Sequence, residues 1–394
     1  MGYRADICLS DTHDIDAHAE SLVVESLCLP HHISSTLSLL EQLFSDTQYT
    51  SPDNLHQIKS LLVSASASAN ASIASSGHAL AGYRAQLGMT SHAVLSERAR
   101  GLTSMDALQR WVDAVEADPA ALEALASIFR HLAGICFRRD RMQLSVVTEP
   151  SLINQVDTHL ANMTWQLSSD AHFKLDDVVA ALGLPTGPDA AVVPDKAFFG
   201  YPIAVNFNVL SFASVPLLHA DHAPLSVLGQ VLSSCHLHQH VRERGGAYGC
   251  SAAQGVFTMS SYFDPHTTQT FEAYEDAVRY AVDGKFTDAD VNQALLATFS
   301  GIDAPQAPSA KVFFGIAAVC RRHAMVVSHQ GKGLFTRGFT YDMLQVRRSQ
   351  LLQVTRADLM RVAATHLANE TVVRRAVVVG KEEGRDDLER RGFQ

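Results

Sequence analysis

Apolar residues in this chain recur at helical spacing over long stretches, broken by short runs in which they are continuous. The clearest helical face is Leu225, Leu228, Val231, Leu232, Cys235, His238 and Val241, spaced by three and four positions. Asp221 stands where an N-cap belongs, and Pro224 falls in the first turn, where a missing N–H costs little. Gly245 sits where a helix closes on a left-handed residue. Tyr248 then opens an extended run, and Gly255 supplies a turn before Val256, Phe257, Met259 and Tyr262. The stretch from His236 to Pro265 thus reads as a helix end, a Gly-Gly break and a hairpin.

The same reading, carried along the chain, predicts short strands at Ile7–Leu9 and Ser21–Leu29 and a helix at Leu37–Phe44. Ser51-Pro52-Asp53 signals a second helix. It runs into the Ala/Ser-rich tract Ser64–Gly82, which could pass for a linker but reads better as a tightly packed helix, since Ala is the best helix former. Helices follow from Ser104 and from Asp118-Pro119, then a strand at Arg141–Thr148 and a helix at Leu152–Asn162. Gly183–Pro194, rich in proline and glycine, is the linker candidate. Beyond it come a strand-like run at Phe198–Val209, helices from Thr268 and Thr287, and a Pro-broken loop at Gly301–Ser309. Further helices are expected at Lys311–Ser328 and Tyr341–Val354, a capping box at Thr355–Asp358, and a closing strand at Thr371–Gly380. Helices returning to strands suit an α+β fold in two units, residues 1–182 and 195–394, joined by 183–194.

With 394 residues, 47% of them hydrophobic and 18% charged, the chain can bury sizeable cores. A net charge of −10 without a basic tract argues against nucleic acid as a partner. No apolar run reaches the ~18 residues that span a membrane. The six cysteines are scattered without a CxxC pair, mostly in apolar runs, which favours buried thiols and a reducing compartment. His13, His18, Asp14 and Asp16 match no known ligand spacing and read as a polar turn. No GxSxG, GxxxxGK[ST] or GxGxxG is present.

A helix-to-strand corner carrying Arg242, Arg244 and Tyr248 can bring a guanidinium near a phenol, two donors suited to a peptide carbonyl. The same residues also read as a solvated helix end and an ordinary strand residue, and composition alone does not choose between them. His78, after Gly77, is by default a core or capping histidine, with substrate contact the alternative.

R-E-R-G-G-A-Y-G followed by S-Y-F-D-P resembles the C-terminal half of the pitrilysin/insulinase clan, and most of all its presequence protease subfamily, which includes falcilysin. Glu25–Pro30, Ser75–His78 and Ile302–Ser309 match in the same order, and the likeness runs from about residue 6 to about 380. The resemblance implies two pitrilysin-type domains, each a mostly antiparallel sheet packed on a helix layer, the first truncated at its N-terminus. It implies that Arg242 and Tyr248, with Gly246 and Ala247, bind the scissile peptide. It also implies zinc outside this chain, on an N-terminal half that is its partner, unstructured peptides as substrates, and a mitochondrial or other organellar location. The clan binds that zinc through HxxEH. No histidine here starts an HxxEH or an HExxH. His236 and His240 lie one turn apart, but Gln239 cannot serve as general base and no third ligand is suggested. The expectation is therefore no metal on this chain and no activity from it alone. The alternatives are a natural non-zinc subunit of a two-chain peptidase, or a non-catalytic scaffold. Two departures from the family stand out: Phe263 replaces a usually basic residue, and the turn after Tyr248 is short.

Overall fold

The computed structural model describes residues 2–11, 14–137, 146, 148–162, 194–302 and 340–394. The expected linker apart from Pro194, the loop after Ile302, the helix at 311–328 and nearly all of the strand at 141–148 lie outside them. β1 (Gly2–Asp11) and β2 (His18–Leu27) pair antiparallel, Gly2 opposite Leu27 and Asp11 opposite His18, so β1 outruns the sequence expectation at both ends, while β2 begins three residues before and ends two residues before the expected bounds. The acidic-histidine stretch connects them. There the Asp14 carboxylate accepts from the Asp16 amide, and Ser91 bonds the carbonyls of Ile15 and Asp16.

Helices α1 (Ile33–Ser45), α2 (Pro52–Gln86), α3 (Ser91–Arg100), α4 (Leu102–Ala117), α5 (Pro119–Cys136) and α6 (Ile153–Asn162) follow. Ser51, Thr90 and Asp118 cap α2, α3 and α5 by accepting from the amides of Asn54, Ala93 and Ala120, and Pro opens α2 and α5. The Ala/Ser tract is helical, with a bend at Ser76 (φ −126°, ψ 16°). Its small residues allow close approach: a Cβ at Gly77 would overlap the Phe207 ring.

The second part holds β3 (Lys196–Tyr201), β4 (Asn206–Phe212), α7 (His222–Val231), a π-helical segment (Leu232–Arg244), β5 (Gly249–Ala253), β6 (Phe257–Asp264), α8 (Thr268–Val282), α9 (Asp288–Ile302), α10 (Tyr341–Leu352), α11 (Arg356–His366), β7 (Arg374–Lys381) and α12 (Arg385–Arg390). The strands form one sheet in the order β3-β7-β4-β6-β5. β3 and β7 run parallel and the other pairs antiparallel. The run expected at Phe198–Val209 is two strands, not one. It breaks after Tyr201, at Pro202, where the Ile203 amide turns back onto the Tyr201 carbonyl, and β7 lies between the halves.

Both faces of the sheet are covered. Phe207, Val209, Val377 and Val379 pack with Ile73, Leu80 and Ala81 of α2. Leu210, Phe212, Ala376 and Val378 pack into the larger core with α7, α8 and α11. A strand buried on both sides reads as an unbroken apolar run, as β7 does. Each such Val, Leu or Phe contributes about 1.5–3 kcal/mol relative to exposure. The Thr355–Asp358 capping box forms as expected. Asp221 precedes α7 but does not cap it; its carboxylate instead binds Arg361 at 2.7 Å and His366 at 2.8 Å. Cys28, Cys136, Cys235 and Cys250 are free thiols, half-buried or exposed rather than buried as expected.

Candidate functional site

The corner between the π segment and β5 is built by close packing. Leu232, His236, Leu237 and Val241 are its buried positions, a spacing of four to five that fits the wider π turn and not the expected face through Cys235 and His238. The segment runs along the outer edge of β5. The Ser233 hydroxyl accepts the Ala252 amide at 2.8 Å and donates to the Gly229 carbonyl at 2.7 Å, with the Ala252 carbonyl at 3.2 Å, and a Cβ at Gly229 would crowd the Ala252 carbonyl.

The segment closes with the Gly246 amide on the Arg242 carbonyl (3.0 Å) and the Ala247 amide on the Val241 carbonyl (3.1 Å). This is a Schellman-like closure with each ring one residue longer, as a π-helix requires. The left-handed residue is Gly246 (φ 78°) and not Gly245, whose missing side chain leaves room for the Val241 carbonyl. Ala247 is buried and anchors the turn, and the Tyr248 amide donates to the Phe263 carbonyl at 3.3 Å.

Arg242 and Tyr248 flank this turn and both are exposed, Tyr248 at 66%. Arg242 Nη1 lies 3.2 Å from His238 Nε2, and His238 Nδ1 lies 3.3 Å from Glu243. A guanidinium only donates, so Nε2 accepts and the ring proton sits on Nδ1, facing the carboxylate. The Arg242 charge reaches the start of β5: burial pushes the Cys250 thiol up to about 11, while Arg242 pulls it the other way. Arg244 diverges from Arg242. It lines an open hollow of about 210 Å³ with His240, Glu272 and Asp276.

His236 and His240 stack at 4.2 Å with their planes 16° apart. Stacked imidazoles do not point their lone pairs at one centre, and burial pushes His236 down to about 4. Among the described residues no group of three or more His, Cys, Asp or Glu is placed to hold a metal ion. The residues here do not fit zinc.

Sequence reasoning missed what supports the corner. Asp264, fully buried, accepts from Asn208 (3.0 Å), Ser261 (2.6 Å), Thr270 (2.7 Å) and the His266 amide (2.9 Å). The readable signal was an aspartate followed by Pro-His-Thr-Thr, an Asx-turn pattern. Just before it, β4 and β6 shift register, so that Phe207 opposes both Tyr262 and Phe263, and Phe263 takes φ 49°. Tyr248 meets Tyr262 and Phe263 edge-on, at 5.6 and 6.1 Å. His78 is neither a cap nor enclosed core. From α2, beside the Ser76 bend, it lies 5.4 Å from the Tyr262 ring, and burial lowers its pKa.

Two family models match the chain: the associated domain of peptidase family M16, subfamily C, over residues 3–110, and the PreP C-terminal domain over residues 202–322. The first contains His78 and the second the whole Arg242–Tyr248 corner. The mitochondrial presequence protease of Danio rerio is 29% identical over 372 residues, covering 91% of this chain and 34% of its own length. That of Aspergillus oryzae is 30% identical over 358 residues, covering 89% and 32%. The chain is similar to the presequence proteases of the M16 peptidases over about nine-tenths of its length. It spans about a third of the length of these relatives. The fold agrees with two solved structures: a peptidase M16 inactive domain from Pseudomonas fluorescens (TM-score 0.52, 15% identity, 96% of this chain and 81% of that one) and a protease from Helicobacter pylori (TM-score 0.52, 11% identity, 96% and 82%). No helix among the described residues is long and apolar enough to cross a membrane.

Proposed function

We propose that this chain is the substrate-clamping portion of a metallopeptidase that degrades presequences and other short unstructured peptides, folded as two units, 1–182 and 195–394. One observation carries the reading: Arg242 and Tyr248 stand exposed on either side of a turn locked by Gly246 and Ala247. Among the described residues the Tyr248 hydroxyl has no hydrogen-bond partner, so it is available to a ligand. A guanidinium offers donors only and a phenol offers one more. Held against a peptide carbonyl, preorganised donors of this type stabilise a developing oxyanion by about 3–4 kcal/mol each. Gly246, without a side chain, lets a peptide backbone come close. On this reading zinc belongs to a separate N-terminal portion, which is the partner of this chain. The mitochondrial relatives support the mitochondrial matrix as the location.

The test is cleavage of a quenched fluorescent presequence peptide by the chain alone and after mixing with a separately prepared zinc-bearing portion. Cleavage only on mixing, reduced about 100-fold by Arg242→Ala and lowered by Tyr248→Phe, is the expected result. Chelator-sensitive cleavage by the chain alone overturns it.

A further inference from the structure

Beside the corner lies a group of rings of which the clamp uses only Tyr248. The register shift at Tyr262–Phe263 puts two consecutive residues of β6 opposite Phe207 alone, where an ordinary strand would send them to opposite faces. The shift depends on Phe263 holding φ 49°, a conformation bulky residues rarely adopt. Its effect is to gather rings. Phe263 lies 5.6 Å from Phe207 and 6.0 Å from Tyr262, while Tyr248 stands over both β6 rings and His78 approaches from α2. Tyr248, Tyr262 and Phe263 meet one another at 62°, 85° and 63°, edge to face, so they do not close over one another as a flat stack would. Tyr248 and Phe263 remain 66% and 38% exposed. Bulges of this kind re-aim side chains beside working sites.

We propose that Tyr248, Tyr262, Phe263 and His78 form a subsite for an aromatic or large aliphatic side chain of the peptide held at the Arg242–Tyr248 corner. The inference rests on the clamp reading, since Tyr248 belongs to both. An apolar occupant is favoured over a cationic one because Arg242, whose charge is felt at the start of β5, opposes a second cation beside it. His78 closes the subsite from a distant part of the chain, so α2 and β6 determine specificity together.

Fluorescence anisotropy on the full 394-residue chain tests this. The probe is a short fluorescein-labelled Gly/Ser peptide carrying one central Phe, Ala or Lys. The Phe peptide is expected to bind about tenfold tighter than the Ala peptide. Phe263→Gly, which suits the backbone it replaces, and His78→Ala should bring the two within about twofold while melting temperatures stay near wild type. Equal binding of Phe and Ala, a preference for Lys, or a preference that survives both substitutions overturns the subsite. Arg242→Ala should weaken all three peptides alike. If it changes none of them while the Phe preference persists, the clamp reading fails and the subsite stands. No binding of any peptide overturns both.

Discussion

His222 opens α7 with 7% of its surface exposed, and its Nδ1 has no partner among the described residues. Burial pushes its pKa down to about 4, and the charges of Arg347 and His219 push the same way. The folded protein therefore holds this ring neutral in a range where the unfolded chain would protonate it. Stability from His222 is complete above about 6.5 and is lost as pH falls from there toward 4, about 3 kcal/mol in total. His236 acts in the same window and direction. Burial raises the Asp221 carboxyl, but hydrogen bonds from His366 and Arg361 outweigh it and hold it below its ordinary 3.8, so its contribution is lost only at lower pH. Urea midpoints should fall steeply between pH 6.5 and 4, and His222→Leu should remove about half of that slope. A slope unchanged in the variant would assign the effect elsewhere.

Two glycines of one helix separate propensity from packing. In α2, a Cβ at Gly77 would strike the Phe207 ring, whereas one at Gly82 meets nothing within 4 Å. Alanine is the better helix former by about 1 kcal/mol, so Gly82→Ala should raise the melting temperature. Gly77→Ala should lower it, because overpacking costs about 1–3 kcal/mol. Paired thermal melts decide this, and a stabilised Gly77→Ala would mean that the ring yields freely. The Ala/Ser tract was legible as a packed helix because small residues serve both propensity and close approach. The winding of the π segment was not. Cys235 and His238 fit a 3.6-residue face, yet burial falls on His236 and Leu237, because Ser233 and Gly229 fit the helix against the edge of β5, a tertiary contact that no local periodicity records. The split between β3 and β4 was hidden for a related reason: Tyr201–Val205 is nearly as apolar as the strands it separates.

The sheet belongs to both parts of the chain, since α2 forms one of its two covered faces. A cavity in α2 should therefore be felt in β7. Leu80→Ala is expected to cost about 2–5 kcal/mol, and hydrogen exchange should speed up across Arg374–Lys381 as well as in α2. Faster exchange confined to α2 would mean that the two parts unfold separately. At this scale the family likeness and the corner were legible from R-E-R-G-G-A-Y-G, but the ring cluster was not. His78 and Tyr262 are 184 positions apart in the sequence and meet only because the Ser76 bend and the β6 register shift coincide beside Phe207. The cover over β5 carries a further consequence. Ser233 already occupies the outward amide of Ala252 and lies against its carbonyl, so an incoming strand cannot pair at that residue. On the reading proposed above, a guest peptide at this corner is gripped at points, by a carbonyl here and a ring there, and not woven into the fabric. Such a grip tolerates many sequences and lets fragments go once they are cut.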